Sequence, residues 1–181
     1  MNPSQKKELL ELARASIETK VRSGALQIKT TDRPEFSQAQ GVFVTLKIHG
    51  RLRGCIGYIE SQSPLYKNIQ ECAISSAERD PRFPPLQATE LTDLDIEISV
   101  LSPVKALPSI DDIQIGQTGL IMQSGSRRGV LLPQVPVEQG WNVQQFLSGL
   151  CQKTGLKDGV WKNPNVKLYY FTAEVFNDHD S

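Results

Sequence analysis

The chain has 181 residues, 39% of them hydrophobic and 22% charged, which is enough for a domain with a sizeable core. Lys and Arg number 20 and Asp and Glu also number 20, which argues against a chain that coats nucleic acid over its whole surface, although a local basic patch is still open. We predict one domain over residues 1–181, with two subdomains as the alternative.

Cysteine and histidine usage excludes several kinds of site. Cys55, Cys72 and Cys151 are far apart and form no CxxC pair, which is typical of the reducing cytoplasm. His49 and His179 are too few for a zinc cluster, so no metal site and no cofactor are predicted. No apolar run approaches the about 20 residues of a membrane span, and the polar start is unlike a signal peptide. We therefore predict a cytoplasmic protein.

The first predicted element is a helix. Asn2 can cap it and Pro3 suits its first turn, and apolar residues then recur at helical spacing as far as Val21. Ser23 and Gly24 end the helix. The polar stretch 29–40 is predicted to be a loop.

A β-hairpin follows the loop. Apolar side chains alternate with Phe43, Thr45 and Lys47 over residues 42–48, a period of two that indicates a strand. His49–Gly50 suits a tight turn, and the chain returns through residues 51–59.

The returning strand carries the most unusual run of the chain, Leu52-Arg53-Gly54-Cys55-Ile56-Gly57. In a regular strand Arg51, Arg53 and Cys55 share one face, and the two guanidinium groups would lower the pKa of the thiol. That predicts an anion-binding or nucleophilic face. The alternative is a buried structural Cys55. Gly54 and Gly57 lack Cβ, so a ligand or a closely packed helix can approach there, or the strand can bulge.

A second helix is predicted after Ser63 and Pro64 and runs to about Ala77. Three prolines then stiffen the loop 80–85, which has the sequence Asp-Pro-Arg-Phe-Pro-Pro. Arg82 on this loop can reach a ligand, or it can cap the helix through Asp80. Both interpretations suit an arginine on a constrained loop.

The remaining elements are shorter. Residues 95–101 alternate as a strand, where Glu97 pairs with an arginine of the hairpin or faces solvent. Short strands are predicted at 120–122 and 130–132, joined by a polar turn containing Arg127 and Arg128. A helix beginning near Asn142 and a long aromatic strand at 167–176 complete the chain.

Four stretches together resemble the AMME-syndrome candidate-region (AMMECR) domain family: Leu52–Gly57, Asp80–Leu86, Leu132–Val135 and Gly140–Trp141. Microbial members of that family include protein A of the AmmeMemoRadiSam system. The resemblance implies an α+β fold with a mostly antiparallel sheet and flanking helices. It also implies two lobes, a larger one built from both chain ends and a smaller inserted one. Ser75–Ser76 departs from the family's preference for alanine there.

The family is one of unresolved biochemical function, so three functional hypotheses stand. The first is a ligand- or partner-binding module whose anionic ligand is bound by Arg53, Gly54, Gly57, Arg82 and Glu138. The resemblance implies a Memo-like protein and a radical S-adenosylmethionine (radical SAM) enzyme as partners.

The second hypothesis is an enzyme with Cys55 as nucleophile, and Glu138 as an acid or base if its segment folds over the hairpin. The third is a nucleic-acid-associated protein, which the neutral composition disfavours.

Overall fold

A computed structural model describes residues 1–179 of the chain. The protein is α+β and divides into two compact units, of which unit 1 contains residues 1–101 and the chain end from Glu174, and unit 2 is the inserted stretch Ser102–Ala173. The predicted fold class, with a larger part built from both chain ends and a smaller inserted part, is confirmed. The last two residues of the predicted domain lie outside the described part.

Unit 1 combines two long helices with an antiparallel sheet. Its elements are α1 (Pro3–Ser23), β1 (Val42–Ile48), β2 (Arg51–Tyr58), α2 (Leu65–Glu78), β3 (Leu94–Leu101) and the end of β7 (Lys167–Asn177). The strand order is β2-β1-β3-β7, so β2 is an edge strand of this sheet. Short 3-10 helices at Pro34–Ser37 and Ala88–Asp93 lie in the connections.

Local sequence explains the helix boundaries of unit 1. The Asn2 side chain accepts from the Gln5 backbone N–H and Gln5 returns the contact, a capping box that starts α1. Gly24 ends α1 at φ 72° with its N–H on the Lys20 carbonyl. The predicted α1 is therefore confirmed at both ends.

The core of unit 1 lies between the helices and one face of the sheet. It includes fully buried side chains from α1, α2, β1 and β3, among them Ile17, Ile69, Leu46 and Ile96. These residues follow the predicted periods of 3.6 and 2, since each element has one apolar face.

Unit 2 is a smaller α+β unit with its own core. Its elements are β4 (Lys105–Ala106), β5 (Thr118–Ser124), β6 (Arg127–Leu131), α3 (Gln134–Glu138), α4 (Val143–Thr154) and the first part of β7. Strand β5 lies between β6 and β7. Helix α4 packs on this sheet through Phe146, Leu147 and Leu150, begins with a capping box at Asn142 and ends at Gly155.

None of the helices within residues 1–179 combines the length and the apolar character that a bilayer crossing requires.

Candidate functional site around Cys55

The predicted hairpin exists, but strand β2 is not regular. His49 and Gly50 both adopt positive φ, 50° and 74°, as a two-residue hairpin turn requires. Lys47 pairs with Leu52 whereas Leu46 pairs with Gly54, so Arg53 is the extra residue of a β-bulge.

The bulge changes which side chains share a face. Side chains of directly paired residues point to the same face of a sheet. Cys55 pairs with Thr45, and Leu52 pairs with Lys47. Thr45 and Lys47 are two residues apart in β1 and therefore share a face. The prediction that Arg51 shares the face of Cys55 is therefore wrong. Leu52 is on the face of Cys55, and it is 41% exposed.

The thiol of Cys55 is partly buried and hydrogen-bonded. The Thr45 hydroxyl donates to Cys55 Sγ over 3.2 Å. Burial raises the pKa of this thiol, and the Thr45 hydrogen bond and the charge of Arg82 oppose the rise without cancelling it. The predicted lowering of its pKa by the strand arginines is wrong, because desolvation is the larger effect and the nearby guanidinium comes from the loop.

Asp80 connects that loop to β2. The carboxyl group is buried, 3% exposed, and it accepts the Cys55 backbone N–H at 2.9 Å and the Arg82 backbone N–H at 3.1 Å. Arg82 adds a fork from Nε at 3.0 Å and from Nη2 at 2.7 Å. The Arg82 hydrogen bonds, ahead of every other cause, hold the pKa of Asp80 far below its usual range.

Arg82 itself stays accessible. Its side chain is 55% exposed although two of its nitrogens bond Asp80, and the guanidinium carbon lies 5.5 Å from the Phe83 ring centroid. The predicted pairing of Arg82 with Asp80 is present. Asp80 does not use it to cap α2, because its carboxylate binds the Cys55 N–H of strand β2. The same geometry leaves Nη1 of Arg82 available to a ligand.

Arg53 forms a clamp within the protein. Its Nε and Nη2 donate to the two carboxylate oxygens of Glu90 at 2.8 and 2.9 Å, and Nη1 donates to the Pro84 carbonyl at 2.9 Å. The side chain is 13% exposed. The bulge residue thus fastens β2 to the loop and to the following 3-10 helix, and ligand binding by Arg53 stays a prediction.

Both glycines of the run touch the protein's own backbone. A Cβ on Gly54 would lie 2.1 Å from the carbonyl oxygen of Ser76, and one on Gly57 would lie 2.3 Å from that of Val42. The Ser76 hydroxyl accepts from the Ile56 N–H and donates to the Val44 carbonyl, each over 2.8 Å, and so bridges β1 and β2. A role for the glycines with a ligand stays a prediction.

Glu97 completes a row of polar side chains across three strands. Thr45 is directly opposite Cys55 on one side and Glu97 on the other. The Glu97 carboxylate pairs with Lys47 Nζ at 3.0 Å, so its predicted partner, an arginine of the hairpin, is wrong. Side chains from β1, β2, β3 and the loop thus surround the thiol.

The remaining candidate is elsewhere in the chain. Glu138 belongs to unit 2, where it is exposed at the end of α3. Its predicted roles, as a ligand-binding residue and as a general acid or base, stay predictions. Cys72 and Cys151 are buried.

Sequence reasoning missed three partners in this site: Thr45, Lys47 and Glu90. Thr45 is a polar residue in an apolar strand, which was a usable signal once the register was known. Glu90 is separated from Arg53 by 37 residues, and no local pattern connects them. Among residues 1–179 no group of three or more His, Cys, Asp or Glu side chains is placed to hold a metal ion.

Comparison with known proteins gives consistent matches over nearly the whole chain. The model of the AMMECR1 family matches residues 10–176. A protein of Methanothermobacter thermautotrophicus is 43% identical, with 94% of this chain and 92% of that protein covered. One of Methanopyrus kandleri is 41% identical over 95% of this chain and 87% of its own.

A solved structure shares the fold. The crystal structure of an uncharacterized protein from Pyrococcus horikoshii matches with a TM-score of 0.93 and 37% sequence identity, and covers 99% of this chain and 94% of that one.

Proposed function

The chain belongs to the AMMECR1 family, and on that premise we propose that it is a binding module whose site is the sheet face around Cys55. The ligand is an anionic group, on a small molecule or on a partner segment, and Arg82 binds it. The observation that carries the proposal is the fixed but accessible guanidinium of Arg82. Buried Asp80 orients it by two hydrogen bonds, and more than half of its side chain is exposed.

Preorganisation explains why this arrangement suits binding. An arginine usually loses side-chain entropy when it engages a ligand, and Asp80 has already restricted Arg82 in the free protein. The guanidinium retains donors that fit a carboxylate or phosphate. Arg53 supports the site indirectly in this proposal, because its clamp to Glu90 holds the loop that carries Arg82.

The test is a titration followed by amide NMR, with inorganic phosphate and succinate as probes. We expect saturable shifts at Cys55 and Arg82, and a dissociation constant at least tenfold weaker in Arg82→Gln, about 1.4 kcal/mol. Arg22→Gln is the matched control, since Arg22 is an exposed arginine on α1. Arg82→Lys keeps the charge without the guanidinium fork, so its affinity is expected to lie between those of wild type and Arg82→Gln.

Equal affinity in Arg82→Gln and wild type would overturn the proposal. Far-ultraviolet circular dichroism on each variant separates lost binding from lost folding.

An enzyme with Cys55 as nucleophile is the second candidate, favoured by one observation. The Thr45 hydroxyl and the Arg82 charge both act on the sulfur in the direction that stabilises a thiolate. Burial has the opposite and larger effect, so the pKa of the Cys55 thiol lies above its ordinary value. The two candidates differ in one measurement, the pH dependence of Cys55 alkylation.

The resemblance to protein A of the AmmeMemoRadiSam system supports a further proposal about partners. We propose that a Memo-like protein or a radical SAM enzyme contacts the site face. Co-purification of tagged wild-type chain with either purified protein tests this. Capture that persists undiminished in Arg82→Gln would show that the contact lies elsewhere.

A further inference from the structure

The neutral total charge of the chain hides an uneven distribution between its two units. Unit 2, residues 102–173, contains seven Lys and Arg residues against four Asp and Glu residues, a net charge of +3. The rest of the chain has a net charge of −3. The neutral overall composition therefore does not disfavour a polyanion partner for unit 2 by itself.

Most of the cations of unit 2 are gathered at one end of it, which we call the basic end. It consists of the tip of the β5–β6 turn, the start of β7 and the end of α4, with the segment that joins α4 to β7. These parts lie together because Gln123 near the end of β5 pairs with Lys167 at the start of β7, and Arg127 Nη1 donates to the Gly155 carbonyl just beyond α4. The exposed cations of the basic end are Arg127, Lys153, Lys157, Lys162 and Lys167.

The carboxylates are mostly at the opposite end of the same unit. Asp111 and Asp112 precede the start of β5, and Glu138 follows the end of β6. Gly116 and Val137 are in contact there, so the two segments meet: a Cβ on Gly116 would be 3.2 Å from Val137 Cγ2. Asp158 is the one carboxylate within the basic end, and its Oδ1 accepts the Gly159 N–H at 2.9 Å.

The lysines of the basic end are not consumed by ion pairs. Among the described residues 1–179, no carboxylate lies within 4.0 Å of the charged group of Arg127, Lys153, Lys157, Lys162 or Lys167. In unit 1, by contrast, Lys6, Arg14 and Lys47 each contact a carboxylate within 3.0 Å. The basic end thus presents unneutralised positive charge.

We propose that the basic end of unit 2 binds the phosphodiester backbone of nucleic acid without reading its sequence. Such binding needs exposed cations and little else, because release of condensed counterions supplies the free energy. A protein partner is disfavoured because interface centres use large apolar anchors. The exposed large hydrophobic residues of unit 2 are Ile115 and Val137, both at the acidic end.

The test measures fluorescence anisotropy of a labelled 20-nucleotide oligo(U) and a duplex of equal length with the full chain between 25 and 200 mM NaCl. If four phosphates are neutralised, log K against log[NaCl] has a slope of about −3 on the single strand. In the triple variant Lys153→Glu, Lys157→Glu, Lys167→Glu we expect affinity to fall at least 30-fold and the slope to flatten by about 2.

A charge-matched control separates a local surface from a net-charge effect. Lys7→Glu, Arg22→Glu, Lys29→Glu changes the net charge equally at exposed positions of unit 1 and is expected to retain affinity within about threefold once the net-charge effect is subtracted. Equal losses in the two triple variants, or binding without salt dependence, would overturn the proposal. So would phosphatidylserine vesicles or polyglutamate that bind as tightly as oligo(U), since the surface would then not be selective for nucleic acid.

Discussion

At the scale of single residues, the chemistry of Cys55 depends on what surrounds it more than on its neighbours in sequence. Arg51 and Arg53 flank the thiol in the chain, but Arg82 is the cation that acts on it, and burial outweighs that charge. A thiol whose pKa is raised above the ordinary value reacts slowly near neutral pH, because the thiolate is the nucleophile.

We predict that alkylation of Cys55 by iodoacetamide has a midpoint above the ordinary thiol range of about 8.5. Thr45→Val and Arg82→Gln should each move the midpoint further up, since each removes a group that stabilises the thiolate. Mass spectrometry resolved by site gives the rates, with buried Cys72 as the internal reference for a slow thiol. A Cys55 midpoint well below 8.5 would instead promote the enzyme candidate.

At the scale of elements, helix α2 lies against β2 at a distance that only glycine permits. The Gly54 contact is with backbone, the Ser76 carbonyl, and not with a flexible side chain that can move aside. The Ser76 hydroxyl uses the same close approach to bridge the two strands of the hairpin. The Leu52–Gly57 run is therefore shaped in part by helix packing.

Gly54→Ala is expected to destabilise the protein by about 3 kcal/mol, the upper end of the cost of overpacking, because the Ser76 backbone cannot move aside. Urea unfolding followed by circular dichroism measures it. Gly50→Ala is the control for backbone strain without a steric contact. A Cβ at residue 50 would meet nothing within 4 Å, so only the positive φ of 74° disfavours alanine there, and we expect a loss of about 1 kcal/mol. Similar losses in both variants would show that the contact with α2 is not the constraint.

The Arg53 clamp belongs to the same scale, because it joins β2 to the loop of Pro84 and to the helix of Glu90. Arg53→Lys keeps the charge and loses the fork. We expect amide exchange at Leu86 and Gln87 to accelerate at least tenfold while exchange in α1 is unchanged. Unaltered protection at Leu86 would mean that packing of its buried side chain suffices to hold the loop.

At the scale of the whole molecule, two buried groups set opposite limits on stability against pH. Asp80 has a lowered pKa in the folded protein. Its contribution to the free energy of unfolding is therefore present above the pKa of the unfolded state, about 3.9, and is lost as the pH falls. Cys72 has a pKa raised by burial to about 12, so its contribution is present below the ordinary thiol value and is lost as the pH rises.

The acid limit is tested with Asp80→Asn. At pH 7 the variant should lose about 1–3 kcal/mol, because the hydrogen bonds of a charged acceptor are weakened. Between pH 4 and pH 2.5 the free energy of unfolding of wild type should fall more steeply than that of the variant, by up to about 1.4 kcal/mol per pH unit. Parallel curves would show that Asp80 is not a titrating contributor.

The alkaline limit is tested with Cys72→Ala. From about pH 9 upward the free energy of unfolding of wild type should decline faster than that of the variant, again by up to about 1.4 kcal/mol per pH unit. If the free energies of unfolding of the two proteins differ by a constant amount from pH 7 to pH 10.5, titration of Cys72 does not affect stability, and the difference is only the cost of the removed side chain.

The sequence by itself determined the elements through local patterns, and it determined the fold class through the family resemblance that four of its stretches carry. Helix caps such as Asn2 and Gly24, the period of two in β1 and the His49–Gly50 turn are local features, and local backbone preferences are enough to specify them. The four matched stretches identified the family.

Only the tertiary structure decided the site. One extra residue at Arg53 places Leu52 on the face of Cys55; the glycines of the run permit a bulge, but they do not fix whether it forms or at which residue. The pKa of Cys55 depends on burial, and the partners of Arg53 and Arg82 come from other segments of the chain. Desolvation and hydrogen bonding between distant segments exist only after the chain has folded, so no reading of neighbouring residues could assign them.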